Sequence, residues 1–286
     1  MAKVFRKIFR KRVTDPVLKQ ATMSHEIARV REQIRRDMPD NLLLRGYKIY
    51  SQTDEDGIIA AIFERIGGGS TFIEIGSGNG TENNTHALLL GGWRGVWVDG
   101  RADRIASVRA EVGATRHLLA EQAFVTRDNV PALAEGWLQR LGTRDIDFFS
   151  LDIDGNDLHV LMAALGVFRP RVICVEYNAK FPPPLEVCVE YDAKHIWSGD
   201  DYHGASLMAF VSALKPLGYT LVTCNISGAN AFFAVDAYAS RFTLYEPARL
   251  FQPSRFHLCT FESGHTPSLK FLRDEMRRRE RRKDGA

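Results

Sequence analysis

Residues 71–80 constrain this chain more than any other stretch. Thr71, Phe72, Ile73, Glu74 and Ile75 lead directly into Gly76, Gly78 and Gly80, three glycines at alternate positions. Such a run reads as a buried strand turning into a ligand-binding loop. Glycine accepts positive φ there and lets the backbone approach a ligand near the start of the next helix. Glu74 narrows the choice of ligand, because a carboxylate just before the turn repels a pyrophosphate but suits positive charge or hydroxyl donors. The G-x-G-x-G spacing also differs from the G-x-G-x-x-G of dinucleotide folds. An ordinary glycine-rich turn is the alternative at this point.

The surrounding sequence repeats one rhythm. Residues 23–38 read as a polar helix and 41–50 as a connector. From Asp54, the residues Ile58, Ile59, Ala61, Ile62 and Ile66 recur at helical spacing behind an acidic first turn, and Gly67, Gly68 and Gly69 stop the helix. After the glycine loop, Asn83, Asn84 and Thr85 are expected to cap a helix through Leu90, which Gly91 and Gly92 end. Residues 95–100 form a second apolar strand with an acidic end at Asp99, followed by a helix over 101–112, a strand over 116–125 and a helix over 127–141. A strand over 145–154, a helix over 157–165 and a strand over 171–178 continue the series.

Nearly all-apolar strands alternating with helices specify an α/β fold: a parallel sheet with helices on both faces, which places ligands at the carboxyl ends of its strands. The rhythm breaks over 179–203. This Pro- and aromatic-rich connection holds Tyr191, His195, Trp197, Tyr202 and His203, and reads as a binding loop or lid. A helix over 204–216 and two apolar stretches, 218–226 and 231–236, follow, and the short join between the stretches predicts a closing antiparallel hairpin.

With 286 residues, the chain is long enough for one large domain, or one domain with arms. Its net charge of +3 is uneven: residues 1–48 hold 13 Lys and Arg against 5 Asp and Glu, and residues 270–286 hold 8 against 4. The middle is therefore acidic. Within residues 1–12, Val4, Phe5, Ile8 and Phe9 share a helical face ringed by Lys3, Arg6, Lys7, Arg10 and Lys11. That pattern suits peripheral contact with an anionic membrane surface, and a solvated basic arm is the alternative.

The basic run over 277–283 lacks the interleaved aromatics of single-strand binders, so nucleic acid is not an expected partner. No stretch approaches the roughly 20 apolar residues of a membrane span, and the first residues lack the apolar core of a signal peptide. A cytoplasmic protein is expected, with the inner membrane surface as a peripheral location. Cys174, Cys188, Cys224 and Cys259 are too scattered for a zinc site or disulfide framework and read as free thiols.

Several motifs together resemble class I S-adenosylmethionine-dependent methyltransferases and, more narrowly, the FkbM-like group. They are Ser51 and Gln52 with Asp56 and Gly57, the strand 72–76, Asn84 with Thr85, Gly92 with Trp93, Leu151-Asp152-Ile153-Asp154-Gly155-Asn156-Asp157, and Val175-Glu176-Tyr177-Asn178. The likeness covers residues 50–236. It implies a Rossmann-like, seven-stranded, mostly parallel sheet with an antiparallel last strand, and methyl transfer usually to oxygen, often on sugars or polyketides. It also divides the chain into a basic helical arm over 1–48, a methyltransferase domain over 49–245 and a C-terminal extension with a basic helix over 246–286.

In a donor site of this kind, Glu74 would oppose the ammonium or sulfonium charge, and Gly76, Ser77, Gly78 and Gly80 would leave room for the methionine portion. Asn84 and Asp152 would border it. Asp99, with Gly100, would accept hydrogen bonds from ribose hydroxyls, or would instead cap the following helix. The family pattern adds adenine contacts at Glu121, Ala123 and Phe124.

A hydroxyl acceptor needs a positioned base, a metal that stabilises the alkoxide, or both. His203 is the first candidate base and His195 the second, since an unperturbed imidazole pKa of about 6.5 suits proton removal near neutrality; Asp154 is a third. Asp152, Asp154, Glu176 and Asn178 sit at period two on adjacent strand ends and could converge on Mg²⁺ through oxygen ligands. Helix capping by Asp152 or Asp154, and a turn shaped by Asn178, are the alternatives.

Tyr177, Tyr191, Trp197 and Tyr202 could form an aromatic wall for a sugar or other ring. The expected partner is a small-molecule or glycan acceptor, and a homo-oligomer is left open. The rival readings are a nicotinamide-dependent oxidoreductase and a non-catalytic nucleotide-binding protein.

Overall fold

In the computed structural model, residues 16–260 and 264–283 are described. The basic segment 1–12, the candidate membrane contact, lies outside them.

The chain begins with α1 (Pro16–Asp37) and a 3₁₀ turn (Leu42–Arg45), then alternates. Helix α2 (Glu55–Ile66) precedes β1 (Thr71–Ile75); α3 (His86–Leu90) leads to β2 (Arg94–Asp99); α4 (Ala102–Val112) leads to β3 (Leu118–Gln122). Helix α5 (Val130–Leu141), β4 (Phe148–Leu151), α6 (Asp157–Ala164) and β5 (Val172–Glu176) follow. After the long connection come α7 (Leu207–Leu214), β6 (Tyr219–Cys224) and β7 (Asn230–Val235), then α8 (Pro247–Leu250) and α9 (Lys270–Lys283).

The seven strands form one sheet in the order β3-β2-β1-β4-β5-β7-β6, in which only β7 runs against its neighbours. This is the Rossmann-like sheet that the sequence implied, with the closing hairpin formed by β6 and β7. The chain lays β2 and β3 on one side of β1, then returns to lay β4 and β5 on the other. The crevice at such a reversal is where an open α/β sheet binds ligands.

Alternation along the strands sends side chains to two cores. Phe72, Trp97, Phe148, Cys174 and Phe232 pack on one face with Ile58, Ile59 and Ile62 of α2, Val108 of α4, and Leu272 and Met276 of α9. Ile73, Ile75, Val96, Val98, Phe149, Leu151, Ile173 and Val175 pack on the other with Trp137 of α5, Val160 and Leu161 of α6, and Phe210 of α7. Met23, Val30, Ile34 and Met38 join this second core, so α1 is packed onto the sheet despite its polar composition. Helix α9 is likewise docked: Arg279 donates to the carbonyls of Leu89, Leu90 and Trp93 and so closes the C-terminal end of α3. No helix among the described residues is long and apolar enough to cross a membrane.

One local expectation needs correction. Thr85 sits at the N-cap of α3 but makes no capping hydrogen bond through its side chain. Asn83, Asn84 and Thr85 instead all donate to Glu74, with the Asn83 Nδ2 and Asn84 backbone bonds both 2.8 Å. A buried carboxylate without donors is far more costly than an uncapped one-turn helix, so the carboxylate takes them.

Tyr177 also departs from its expected place. It is fully buried rather than part of an aromatic wall, and its hydroxyl donates to the Gln252 carbonyl at 2.6 Å while accepting from the Gln252 N–H at 3.2 Å. Tyr177→Phe is expected to lower folding stability by about 1–3 kcal/mol, the cost of two stranded backbone groups, measured as a urea-unfolding midpoint.

Candidate functional site

The glycine loop follows the sequence expectation in its backbone: φ is +90° at Gly76, +61° at Gly78 and +76° at Gly80. At Gly76 there is a second reason for glycine, since a Cβ would lie 1.7 Å from the Asp152 carbonyl oxygen. The loop is tied to β2. The Gly76 and Ser77 N–H groups donate to the Val98 carbonyl at 2.8 and 3.1 Å. Asp99 takes the Gly78 N–H on Oδ2 at 2.9 Å and the Arg101 N–H on Oδ1 at 2.8 Å, with Arg104 Nη1 3.3 Å from Oδ2. Asp99 therefore braces both the loop and the start of α4. Beyond the loop, burial lowers the His86 pKa to about 4, so its neutral ring donates from Nδ1 to the Gly80 carbonyl while stacking on Tyr50.

A cavity of about 740 Å³ opens at the ends of β1, β2, β3, β4 and β5. Its walls hold five carboxylates (Glu82, Asp99, Asp152, Asp154 and Glu176) against two guanidinium groups, Arg101 and Arg104. That balance favours a ligand with positive charge or hydroxyl donors and disfavours a phosphate. Asp152, Asp154 and Glu176 each present an oxygen within 4.8 Å of the others. Burial, followed by the nearby carboxylates, holds the Asp152 and Glu176 carboxyls well above the usual range. Glu176 Oε2 is buried with no hydrogen-bond partner.

The turn after β4 releases Asp152 and Asp154 for this cluster. Asp157 holds the turn itself, accepting from the Ile153 N–H at 2.9 Å and the Gly155 N–H at 2.8 Å, while the N-cap of α6 is Asn156, so neither Asp152 nor Asp154 caps the helix. Asp154 adopts φ +56°, a backbone region that asparagine and aspartate tolerate better than most residues and that often marks functional turns.

The 179–203 connection closes one side. Asn156 Nδ2 donates to the Asp192 carbonyl at 2.7 Å, and Tyr191 donates to Asp128 at 2.6 Å beneath the Arg127 guanidinium. His195 lies on Gly155, where a Cβ would come within 2.2 Å of its ring, and its Nε2 is buried without a partner. His195, Ile196 and Trp197 line the cavity.

Of the residues singled out from sequence, the cavity wall brings together Gly76, Gly78, Asp99, Gly100, Ala123, Phe124, Asp152, Asp154, Glu176 and His195. Others lie off it, for identifiable reasons. Glu74 shares its face of β1 with Phe72, and its carboxylate is spent on residues 83–85. Asn84 goes with it, its Nδ2 donating to Ser150 at 3.0 Å. Ser77 is fully buried, Gly80 packs on Trp97, and Glu121 accepts from Trp137 Nε1 at 3.1 Å.

Asn178 holds the lid rather than a cation: its Nδ2 donates to the Asp201 and His203 carbonyls at 3.0 Å, and its Oδ1 accepts from Lys180 N–H at 3.2 Å. The His203 ring packs on Trp197, and burial lowers its pKa. Tyr202 is exposed, and its hydroxyl accepts from the Glu190 N–H at 3.1 Å. Gln52, Glu82, Arg101, Arg104 and Asn156 are wall residues that sequence reasoning missed. Only Gln52 and Asn156 belonged to a recognisable motif.

Glu74 gives a pH prediction. Burial pushes its carboxyl up to about 7 from 4.5, outweighing the three donors that favour the anion. The folded chain thus holds this proton more tightly than the unfolded chain. Its contribution is fully present below the unfolded pKa and is lost as pH rises through the folded one. The urea midpoint of the natural chain is expected to fall more between pH 5 and 8 than that of Glu74→Gln, whose side chain cannot ionise.

Neither a family model nor a curated protein matches the sequence. Solved structures are similar at a low level, three of them as follows. The N-terminal domain of EvdMO1 with SAH bound has 14% identity and a TM-score of 0.40 over 73% of this chain and 94% of that one. The O-methyltransferase from Bacillus cereus in complex with SAH has 15% identity and a TM-score of 0.39 over 75% and 90%. The methyltransferase domain of bacterial CtHen1 has 15% identity and a TM-score of 0.38 over 63% and 96%. Overlaps this loose carry no weight for function, which has to come from the site's own residues.

Proposed function

We propose that this chain is an S-adenosylmethionine-dependent methyltransferase of the FkbM-like group that methylates a hydroxyl. The observation that carries this reading is a single cavity at the strand reversal, with the Asp99-braced glycine loop and the Asp152, Asp154 and Glu176 cluster both on its walls.

S-adenosylmethionine supplies an electrophilic methyl group on a sulfonium centre. Asp99 accepts from the ribose hydroxyls with the lone pairs left over from bracing the loop, and Gly76 and Gly78 leave room beside it. Ala123 and Phe124 flank the adenine. The acidic side of the cavity opposes the donor's positive charge, which also relieves the repulsion among its own carboxylates. A dinucleotide fits poorly, because its pyrophosphate would face the same carboxylates. A purely binding role leaves that acidic cluster without a purpose.

The acceptor hydroxyl must lose a proton as the new bond forms. His195 takes it: the residue lines the wall and its buried Nε2 has no other hydrogen-bond partner, whereas His203 supports Trp197. Asp154 is the second proton acceptor on the wall. Asp152, Asp154 and Glu176, all hard oxygen donors, would hold a Mg²⁺ ion that stabilises the acceptor alkoxide, satisfying the unpartnered Glu176 Oε2. Ile196 and Trp197, 79% and 44% exposed, offer an apolar edge for a ring-bearing acceptor such as a carbohydrate or glycolipid. The basic segment 1–12 would suit an acceptor at the inner membrane surface.

Incubation with isotopically labelled methyl donor and extracts of glycans and lipids, followed by mass spectrometry, identifies whatever gains a methyl group. With that acceptor, His195→Ala is expected to lower kcat about 100-fold while leaving donor affinity unchanged. Unaltered kcat across neutral pH would remove His195 from the mechanism. Calorimetric titration with Mg²⁺ is expected to show saturable binding that Asp154→Asn abolishes. No saturable binding to the natural chain would remove the metal, and equal binding to both proteins would remove Asp154 from its ligands.

A further inference from the structure

Helix α9 turns one face inward and leaves the other exposed. Leu272 and Met276 are buried in the core, as is Leu269 just before the helix. The acidic side chains of α9 are committed. Glu275 pairs with Arg278 and, at 2.7 Å, with Arg279, and Asp274 pairs with Arg273 at 2.9 Å. Glu280 accepts from the Thr115 hydroxyl at 2.9 Å and the Arg116 N–H at 3.1 Å. These contacts hold the helix against the sheet, so its outer face is a fixed surface.

That face carries Lys270, Arg277 and Arg281, all exposed. Their spacing is close to whole turns of about 3.6 residues, so the three form one stripe about 16 Å long. Among the described residues none of these side chains makes an ion pair or hydrogen bond, and Arg277 and Arg281 act on Asp274 only at longer range. Arg277 and Arg281, one turn apart, also repel each other. Beside the stripe, Phe271 is 75% exposed, the most exposed aromatic side chain among the described residues. Leu269 packs on Gly80, so this end of α9 lies at the carboxyl end of the sheet, where the cavity opens.

We infer that the outer face of α9 is a docking surface for an anionic lipid bilayer. Unpaired cations beside an exposed aromatic ring, on a helix fixed in orientation, match the two layers of such a surface: anionic headgroups over an acyl boundary. The stripe lies along the headgroups, which relieves the repulsion between Arg277 and Arg281, and Phe271 enters the boundary beneath them. A nucleic acid would answer the charges alone. A duplex backbone offers Phe271 no apolar site, and a single strand needs successive aromatic platforms where this face has one. The inference stands apart from the chemistry assigned to the cavity.

The test is co-sedimentation of the full chain with phosphatidylcholine vesicles, with and without phosphatidylglycerol, at low ionic strength. Partition is expected to be at least about tenfold stronger with phosphatidylglycerol and to fall as salt is raised. Arg277→Glu combined with Arg281→Glu is expected to lower it at least about thirtyfold. Phe271→Ser is expected to lower it about tenfold, with circular dichroism confirming that both variants fold. Absence of partition, or equal partition onto neutral vesicles, would overturn the assignment. So would partition that survives the charge reversal, which would place the contact on other basic residues such as those of segment 1–12. Tighter binding to duplex or single-stranded DNA than to the anionic vesicles would overturn it as well.

Discussion

Asp99→Ala is expected to weaken binding of S-adenosylhomocysteine by about 10³-fold, because two charge-assisted hydrogen bonds to ribose are lost at about 1.5–3 kcal/mol each. The effect has a second source in the protein itself. Asp99 holds the Gly78 and Arg101 N–H groups, so its removal also loosens the loop against which the proposed donor would lie. Asp99→Asn separates the two sources, since an amide oxygen keeps one brace but loses the charge. It is expected to fall between the natural chain and alanine in a calorimetric titration. Affinity unchanged in Asp99→Ala would take the ribose out of this position.

The second large effect is on stability. Gly76→Ala places a methyl group 1.7 Å from the Asp152 carbonyl at φ +90°, so the backbone must leave both its contact and its conformation. Left-handed strain and overpacking each cost about 1–3 kcal/mol, and together they are expected to remove about 3–5 kcal/mol in urea unfolding. The loss reaches the site as well, because Gly76 couples the end of β1 to the turn that carries Asp152 and Asp154. A Gly76→Ala chain with an unchanged urea midpoint would show that this contact is not tight.

Much of the sheet was legible because fully buried parallel strands leave a strong mark: an apolar run, a turn residue, a helix. The three glycines and Asp99 were legible because backbone geometry and a strand-end carboxylate are local properties. Glu74 shows where that reasoning stops. Its position in the run suggested a ligand contact, yet period two puts it on the Phe72 face, under donors from residues 83–85, and not at the strand end. The signal is present in Asn83, Asn84 and Thr85, three donor side chains in a row, but sequence alone does not distinguish donors to a carboxylate from a helix cap.

Two further features depended on tertiary context. Helix α1 looked polar, yet Met23, Val30, Ile34 and Met38 are spaced to form one buried stripe, narrow enough to be hidden by the charges around it. The ranking of His203 above His195 rests on an irregular loop, where no period fixes which way a side chain points. Gly155, small enough for an imidazole to lie on it, brings His195 to the cavity wall, a placement that only the tertiary structure shows.

The central claim is that this cavity holds a methyl donor. The measurement that tests it most directly is a side-by-side equilibrium titration of the full chain with S-adenosylhomocysteine and NADH. The account predicts saturable binding of S-adenosylhomocysteine that is markedly tighter than that of NADH and is lost in Asp99→Ala. Tighter binding of NADH would contradict it.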